Sequence, residues 1–177
     1  MGREHFASLH TKVGTLATNG NARRLLFYGT MGFGKSFTIA ALVFLLLHNK
    51  HRVIYIPTCV DLLPDRVEYF RAALFLAFSD DADIEIIKTG TEDDLIRLCQ
   101  ATPDLIFVVD QWNALDVVDA MDPDGEKKRA CESMIERAAC NGRFLRAASA
   151  NNDSVKKTRG RQDSTDKLPV FGGLTNV

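Results

Sequence analysis

Short apolar runs bounded by turn residues alternate along this chain with longer amphipathic stretches. "RRLLFY" (23–28), "RVIYIP" (52–57) and "DLIFVVD" (104–110) are compact and rich in branched or aromatic residues, so each reads as a buried strand. "RFLRAASANN" (143–152) is a weaker strand ending in small polar residues, and "LPVFGGLTNV" (168–177) begins a further element. Between them, residues 64–78 open on proline and carry apolar side chains at helical spacing. Thr91 with Asp94 three residues on predicts the start of a helix over "TEDDLIRLCQA". "EKKRACESMIERAAC" (126–140) is a further helix, closed by Asn141-Gly142. "DDADIEIIKTG" (80–90) is ambiguous, with a short strand as one reading. The most apolar run, Phe37 to Leu47, is too short to cross a bilayer and reads as a helix buried in a core.

Strands that alternate with helices predict an α/β fold, a parallel sheet covered on both faces. Ligands of such sheets bind beyond the carboxyl ends of the strands, where the polar clusters of this chain fall. Residues 1–22 form a short helix and a polar turn, and 23–177 the α/β domain. A chain of 177 residues fits one domain with a proper core.

Composition changes this picture little. With 46% hydrophobic and 25% charged residues the chain is ordinary for a globular protein, and a net charge of −1 makes no global case for nucleic-acid or membrane binding. Cys59, Cys99, Cys131 and Cys140 lack C-x-x-C pairing, sit in apolar segments and read as reduced core thiols. The start has no signal-peptide apolar region, and Phe6 stands where N-myristoylation after Gly2 would want Ser or Thr, so the chain reads as intracellular as written. Phe70, Phe75 and Phe78 lie at helical spacing and read as core.

Chemistry enters with Gly29-Thr30-Met31-Gly32-Phe33-Gly34-Lys35-Ser36, which fits G-x-x-x-x-G-K-[ST] between a predicted strand and a predicted helix. Glycines let the backbone wrap closely around phosphates, and the helix that follows, through Phe37, presents free N–H groups and a positive dipole end. Lys35 is placed for the terminal phosphates and the Ser36 hydroxyl for Mg2+. Asp110, at the end of a later buried strand, takes the role of the second magnesium ligand. Gln111 follows it where many nucleotide hydrolases carry a glutamate that activates water, and an amide orients water without taking its proton. At the exit of "RFLRAASANN", Ser149, Asn151 or Asn152 would stand near the terminal phosphate, with Asn151 the choice. No N-K-x-D segment for reading guanine is present, which favours ATP. "KKTRGR" (156–161) would supply an arginine to phosphates, contact nucleic acid, act as a nuclear address, or stay a solvated loop.

"LLFYGTMGFGKSFTIAALVFLLL", "RVIYIP", "FVVDQWNAL" and "SANN" together resemble the P-loop ATPase domain of Crinkler-type effectors, which are related to retrotransposon hot spot proteins. The resemblance spans about Arg23 to Val177. It implies a three-layer P-loop NTPase with sheet order 5-1-4-3-2, Lys35 and Ser36 on phosphate and magnesium, and Asp110 on magnesium. An Asp-Gln pair is not foreign to that family, so Gln111 reads as a variant of its site. The family is modular, with a nuclease-like or kinase-like domain downstream and action in host nuclei. Domains of this class continue into a helical lid, so a C-terminal lid is expected to be missing here, the sequence being either a gene fragment or one whose partner domain lies on another chain. Two functions are therefore expected: slow magnesium-dependent ATP hydrolysis, or nucleotide-gated interaction without meaningful turnover.

Overall fold

In a computed structural model, residues 2–16, 24–30, 32, 34–116, 122, 124–149 and 165–170 are described. In chain order they form α1 (Gly2–Thr15), β1 (Arg24–Gly29), α2 (Lys35–His48), β2 (Val53–Ile56), α3 (Arg66–Leu74), α4 (Asp81–Thr89), α5 (Glu92–Ala101), β3 (Ile106–Val109), α6 (Glu126–Ala138), β4 (Arg143–Ser149) and β5 (Asp166–Val170), with single 3₁₀ turns after β2, β3 and α6.

The five strands make one parallel sheet in the order β2-β3-β4-β1-β5. From the other edge this is 5-1-4-3-2, the order expected from the resemblance. Every pairing joins strands that are parallel, and helices cover both faces of the sheet. Alternation along β3 assigns the faces. Ile106 and Val108 pack with Leu9 and Val13 of α1 and Ile39, Leu42 and Val43 of α2. Phe107 and Val109 pack with Phe70, Ile87, Leu95 and Met134 from α3, α4, α5 and α6. All four residues of β3 are buried, as a central strand of a doubly covered sheet requires.

Four readings of the sequence change. Residues 81–89 are the helix α4, because Ile84 and Ile87 lie one turn apart on the packed side while Ile86 faces solvent; the apparent alternation Ile84-Glu85-Ile86 was too short to define a strand. Phe75 is 44% exposed rather than core: α3 stops at Leu74, and the chain leaves helical phase before Phe78, which is buried with Phe70. The apolar run 37–47 is indeed helical, but it buries one side alone, leaving Phe37 82% and Phe44 74% exposed. Cys59, Cys99 and Cys131 are buried free thiols, whereas Cys140 is exposed beyond the end of α6. Among the described residues no helix is long and apolar enough to cross a membrane.

Candidate functional site

The loop between β1 and α2 opens at the carboxyl end of the sheet. Gly32 (φ 82°) and Gly34 (φ 66°) both adopt left-handed backbone, which a side chain would strain, and a Cβ at either would project into open space. Gly34 is the N-cap of α2 and offers no capping side chain. The first intrahelical bond runs from Thr38 N–H to the Gly34 carbonyl at 2.9 Å, so the N–H groups of Lys35, Ser36 and Phe37 have no acceptor within the helix. Three donors and the dipole's positive end thus meet at an uncapped helix start, a site suited to an anion.

Lys35 is nearly buried, yet its ammonium donates to the Thr30 carbonyl at 2.5 Å, across the loop it belongs to. Burial lowers its pKa from the ordinary lysine value, and the negative charge of Asp110 opposes that shift. Lysine and carboxylate therefore share one field although they come from different strand–helix connections.

Asp110 follows β3 directly, and four of its polar atoms are unequal in their bonding. Its N–H donates to the Ile56 carbonyl at 2.8 Å, extending the β2–β3 ladder by one residue. Its carbonyl accepts from the Cys59 thiol at 3.2 Å, and Oδ1 accepts from the Gln111 N–H at 2.7 Å. Oδ2 is buried with no hydrogen-bond partner, in a residue only 3% exposed. The Thr30 hydroxyl oxygen is likewise buried without a partner. A buried carboxylate oxygen with nothing to accept from is costly unless something binds it. Oδ2 and the exposed Ser36 hydroxyl are oxygen donors of the kind a small hard cation takes. Among the described residues no group of three or more His, Cys, Asp or Glu side chains could enclose a metal, so such an ion would complete its shell from phosphate oxygens and water.

Gln111 is exposed, with φ 55°, a left-handed conformation unusual for a non-glycine residue. Its carbonyl accepts from Ala114 N–H at 2.8 Å, starting the turn Trp112–Asp116. Trp112 anchors that turn, meeting the Phe144 ring edge-on at 5.8 Å between centroids. The guanidinium of Arg146 lies over both rings, 5.3 Å from Trp112 and 5.5 Å from Phe144, and 3.8 Å from a Glu136 carboxylate oxygen. Phe144 and Arg146 belong to no motif of the sequence, and the pairing of β4 with β3 brings them to Trp112.

Two further groups sit in the field of Asp110: Tyr55, which the sequence did not single out, and Cys59, read from sequence only as a core thiol. Tyr55, half-buried on β2, has its phenol pKa raised by burial, by Asp110 and by Tyr69. Burial, with Asp110 next in order, pushes the Cys59 thiol to about 12, so it is an inert neutral donor. The signal for Tyr55 was available in the alternation of β2, which puts it on the face of Val108 and α2 while Ile54 and Ile56 face the other way.

Thr30, Gly32, Gly34, Lys35, Ser36 and Phe37 follow β1, and Asp110 and Gln111 follow β3, so these residues lie at or beside the carboxyl ends of two parallel strands of one sheet. Ser149 pairs in register with Gly29, which sets the end of β4 beside the start of the loop. Phe33, Asn151, Asn152 and the basic stretch 156–161 lie outside the described residues. Compared with known proteins, the chain matches no protein-family model and no curated protein.

Proposed function

We propose that this chain binds ATP with magnesium at the loop 29–36 and hydrolyses it slowly. The observation that carries the reading is the convergence of an uncapped, glycine-started helix, the Lys35 ammonium and a buried Asp110 oxygen that lacks a partner. In this reading the N–H groups at the start of α2 bind phosphate oxygens, and Lys35 exchanges the Thr30 carbonyl for the terminal phosphates. Magnesium, held by Ser36 and Asp110, would neutralise charge on the phosphates. The resemblance to P-loop ATPase domains of Crinkler-type effectors supports the same assignment, and with it a modular protein acting beside a nuclease-like or kinase-like partner domain.

Gln111 sets the rate. Phosphoryl transfer depends mainly on positioning and charge stabilisation, which the loop, Lys35 and magnesium supply. A general base contributes roughly 10²–10⁴-fold, and an amide supplies none of it. On its position in the sequence, Asn151 would be the second polar group near the terminal phosphate. The exposed, left-handed Gln111 also favours a second reading, in which ATP acts as a ligand gating an interaction without meaningful turnover.

Phosphate release with Mg·ATP, compared between the natural chain and Lys35→Ala, tests both. Slow release lost in Lys35→Ala supports the ATPase; Lys35-dependent binding without release supports the gated module. Binding indifferent to Lys35→Ala sinks both.

A further inference from the structure

Resting on this phosphate-site reading, we infer that the ring of Phe37 is the platform on which the base of the bound nucleotide stacks. Phe37 is the third residue of α2, immediately after Ser36. The buried side of this helix is Lys35, Ile39, Leu42, Val43 and Leu46. Two residues on from Lys35, Phe37 faces away from that side, and 82% of it is exposed. A large ring in water gains nothing from folding at that position.

Helix geometry says what the ring overlooks. Side chains of an α-helix tilt towards its N-terminus and cover the surface over the preceding turn. The turn preceding Phe37 is the phosphate loop itself, with Gly34 at its end and open space where its Cβ would stand. The N–H of Phe37 is one of the three without an intrahelical acceptor, so a phosphate bound there places the rest of the nucleotide within reach of the same residue's ring. The buried Oδ2 of Asp110, which has no hydrogen-bond partner and whose residue acts electrostatically on Lys35, is the second sign of a ligand at this helix start. Stacking needs only a π-face, which every base has, so the ligand class is a nucleoside triphosphate with weak discrimination between adenine and guanine through this contact.

Phe44 supplies the control. It lies two turns further along the same outward side, 74% exposed, and about 10 Å up the helix axis from Phe37. A single base at the helix start does not bridge the two, whereas a macromolecular partner lying along α2 would use both.

Calorimetric binding of Mg·ATP, Mg·GTP and magnesium with inorganic triphosphate decides the matter. Phe37→Ala is expected to weaken ATP and GTP by about 5- to 100-fold and leave triphosphate within about twofold. Phe37→Trp is expected to restore the nucleotides, and Phe44→Ala to change none of the three. Equal losses for ATP and triphosphate, no loss in Phe37→Ala, or the same loss in Phe44→Ala would each overturn the inference. Lys35-dependent ATP binding that ignores Phe37 removes this inference alone; a natural chain that binds neither ATP nor triphosphate removes the phosphate site with it.

Discussion

Lys35 and Asp110 illustrate how two charged side chains are kept inside a fold of this size. Burial drives the lysine towards neutrality, and the charge of Asp110 acts against that shift. Asp110→Asn keeps an acceptor for the Gln111 N–H but removes the charge. Its expected effects are a further drop of the Lys35 pKa and loss of the magnesium dependence of ATP binding, read by titration at several pH values with and without magnesium. Gln111→Glu is expected to raise the rate of phosphate release, by up to roughly 10²-fold, with little change in ATP affinity. A slower variant would show that the amide is itself the required group. Lys35 and Asp110 were legible from their spacing and flanking pattern. The left-handed backbone of Gln111 was not, because no residue preference announces it and the turn that imposes it is anchored by Trp112 against β4.

At the scale of elements, local rules held wherever the signal was local. Thr91 and Asp94 form the capping box that the spacing predicts: the Thr91 hydroxyl accepts from the Asp94 N–H, and the Asp94 carboxylate accepts from the Thr91 N–H at 2.8 Å. The Thr91 hydroxyl, which donates to the Asp94 carboxylate at 2.6 Å, together with the Thr91 N–H and Arg97, lowers the Asp94 pKa from 3.8 to about 2. The sign is that of a depressed carboxyl: its contribution is complete above the unfolded value and is lost as pH falls through the folded one. Stability attributable to this cap is therefore expected to decline between about pH 4 and pH 2, and the acid limb should be shallower in Asp94→Asn when unfolding is followed by circular dichroism. The turn before the cap is equally specific. Arg71 donates to the carbonyls of Ile87 and Gly90, and a Cβ on Gly90 would stand 2.5 Å from the Ile86 carbonyl oxygen. Gly90→Ala should cost about 1–3 kcal/mol in denaturant unfolding. A neutral result would mean that α4 shifts without strain. The ambiguity of residues 80–90 between helix and strand belongs here too: three isoleucines in four positions satisfy either period until their burial separates them.

For the whole molecule, the site is an assembly of connections that are distant in sequence and adjacent in the sheet. β1 delivers the loop, β3 delivers Asp110, and β4 lies between them, its end in register with Gly29. Binding across these ends should stabilise the fold as a unit. Mg·ATP at a hundred times Kd is expected to add about 2.7 kcal/mol, a rise in Tm of roughly 5–10 °C for a chain of this length, lost in Lys35→Ala. The chain's one tryptophan, Trp112, sits in the turn after Gln111 under the Arg146 guanidinium. Its emission is expected to respond to Mg·ATP in the natural chain and to stay flat in Lys35→Ala. A response to ATP that survives Lys35→Ala would point to binding elsewhere.

By itself the sequence determined the features whose causes are local. The glycine-rich strand-to-helix turn follows from glycine's conformational freedom, the capping box from side-chain reach, and the α/β class from hydrophobic period. The order of the strands came from the resemblance rather than from any local rule, and the parallel pairings agree with it. Tertiary structure alone decided which side of each apolar stretch is buried. It turned Phe37, Phe44 and Phe75 outward and left Asp110 one oxygen without a partner. The reason is physical: a helix buries only the stripe that meets the sheet, and a carboxylate's unused lone pairs are defined by neighbours from other strands.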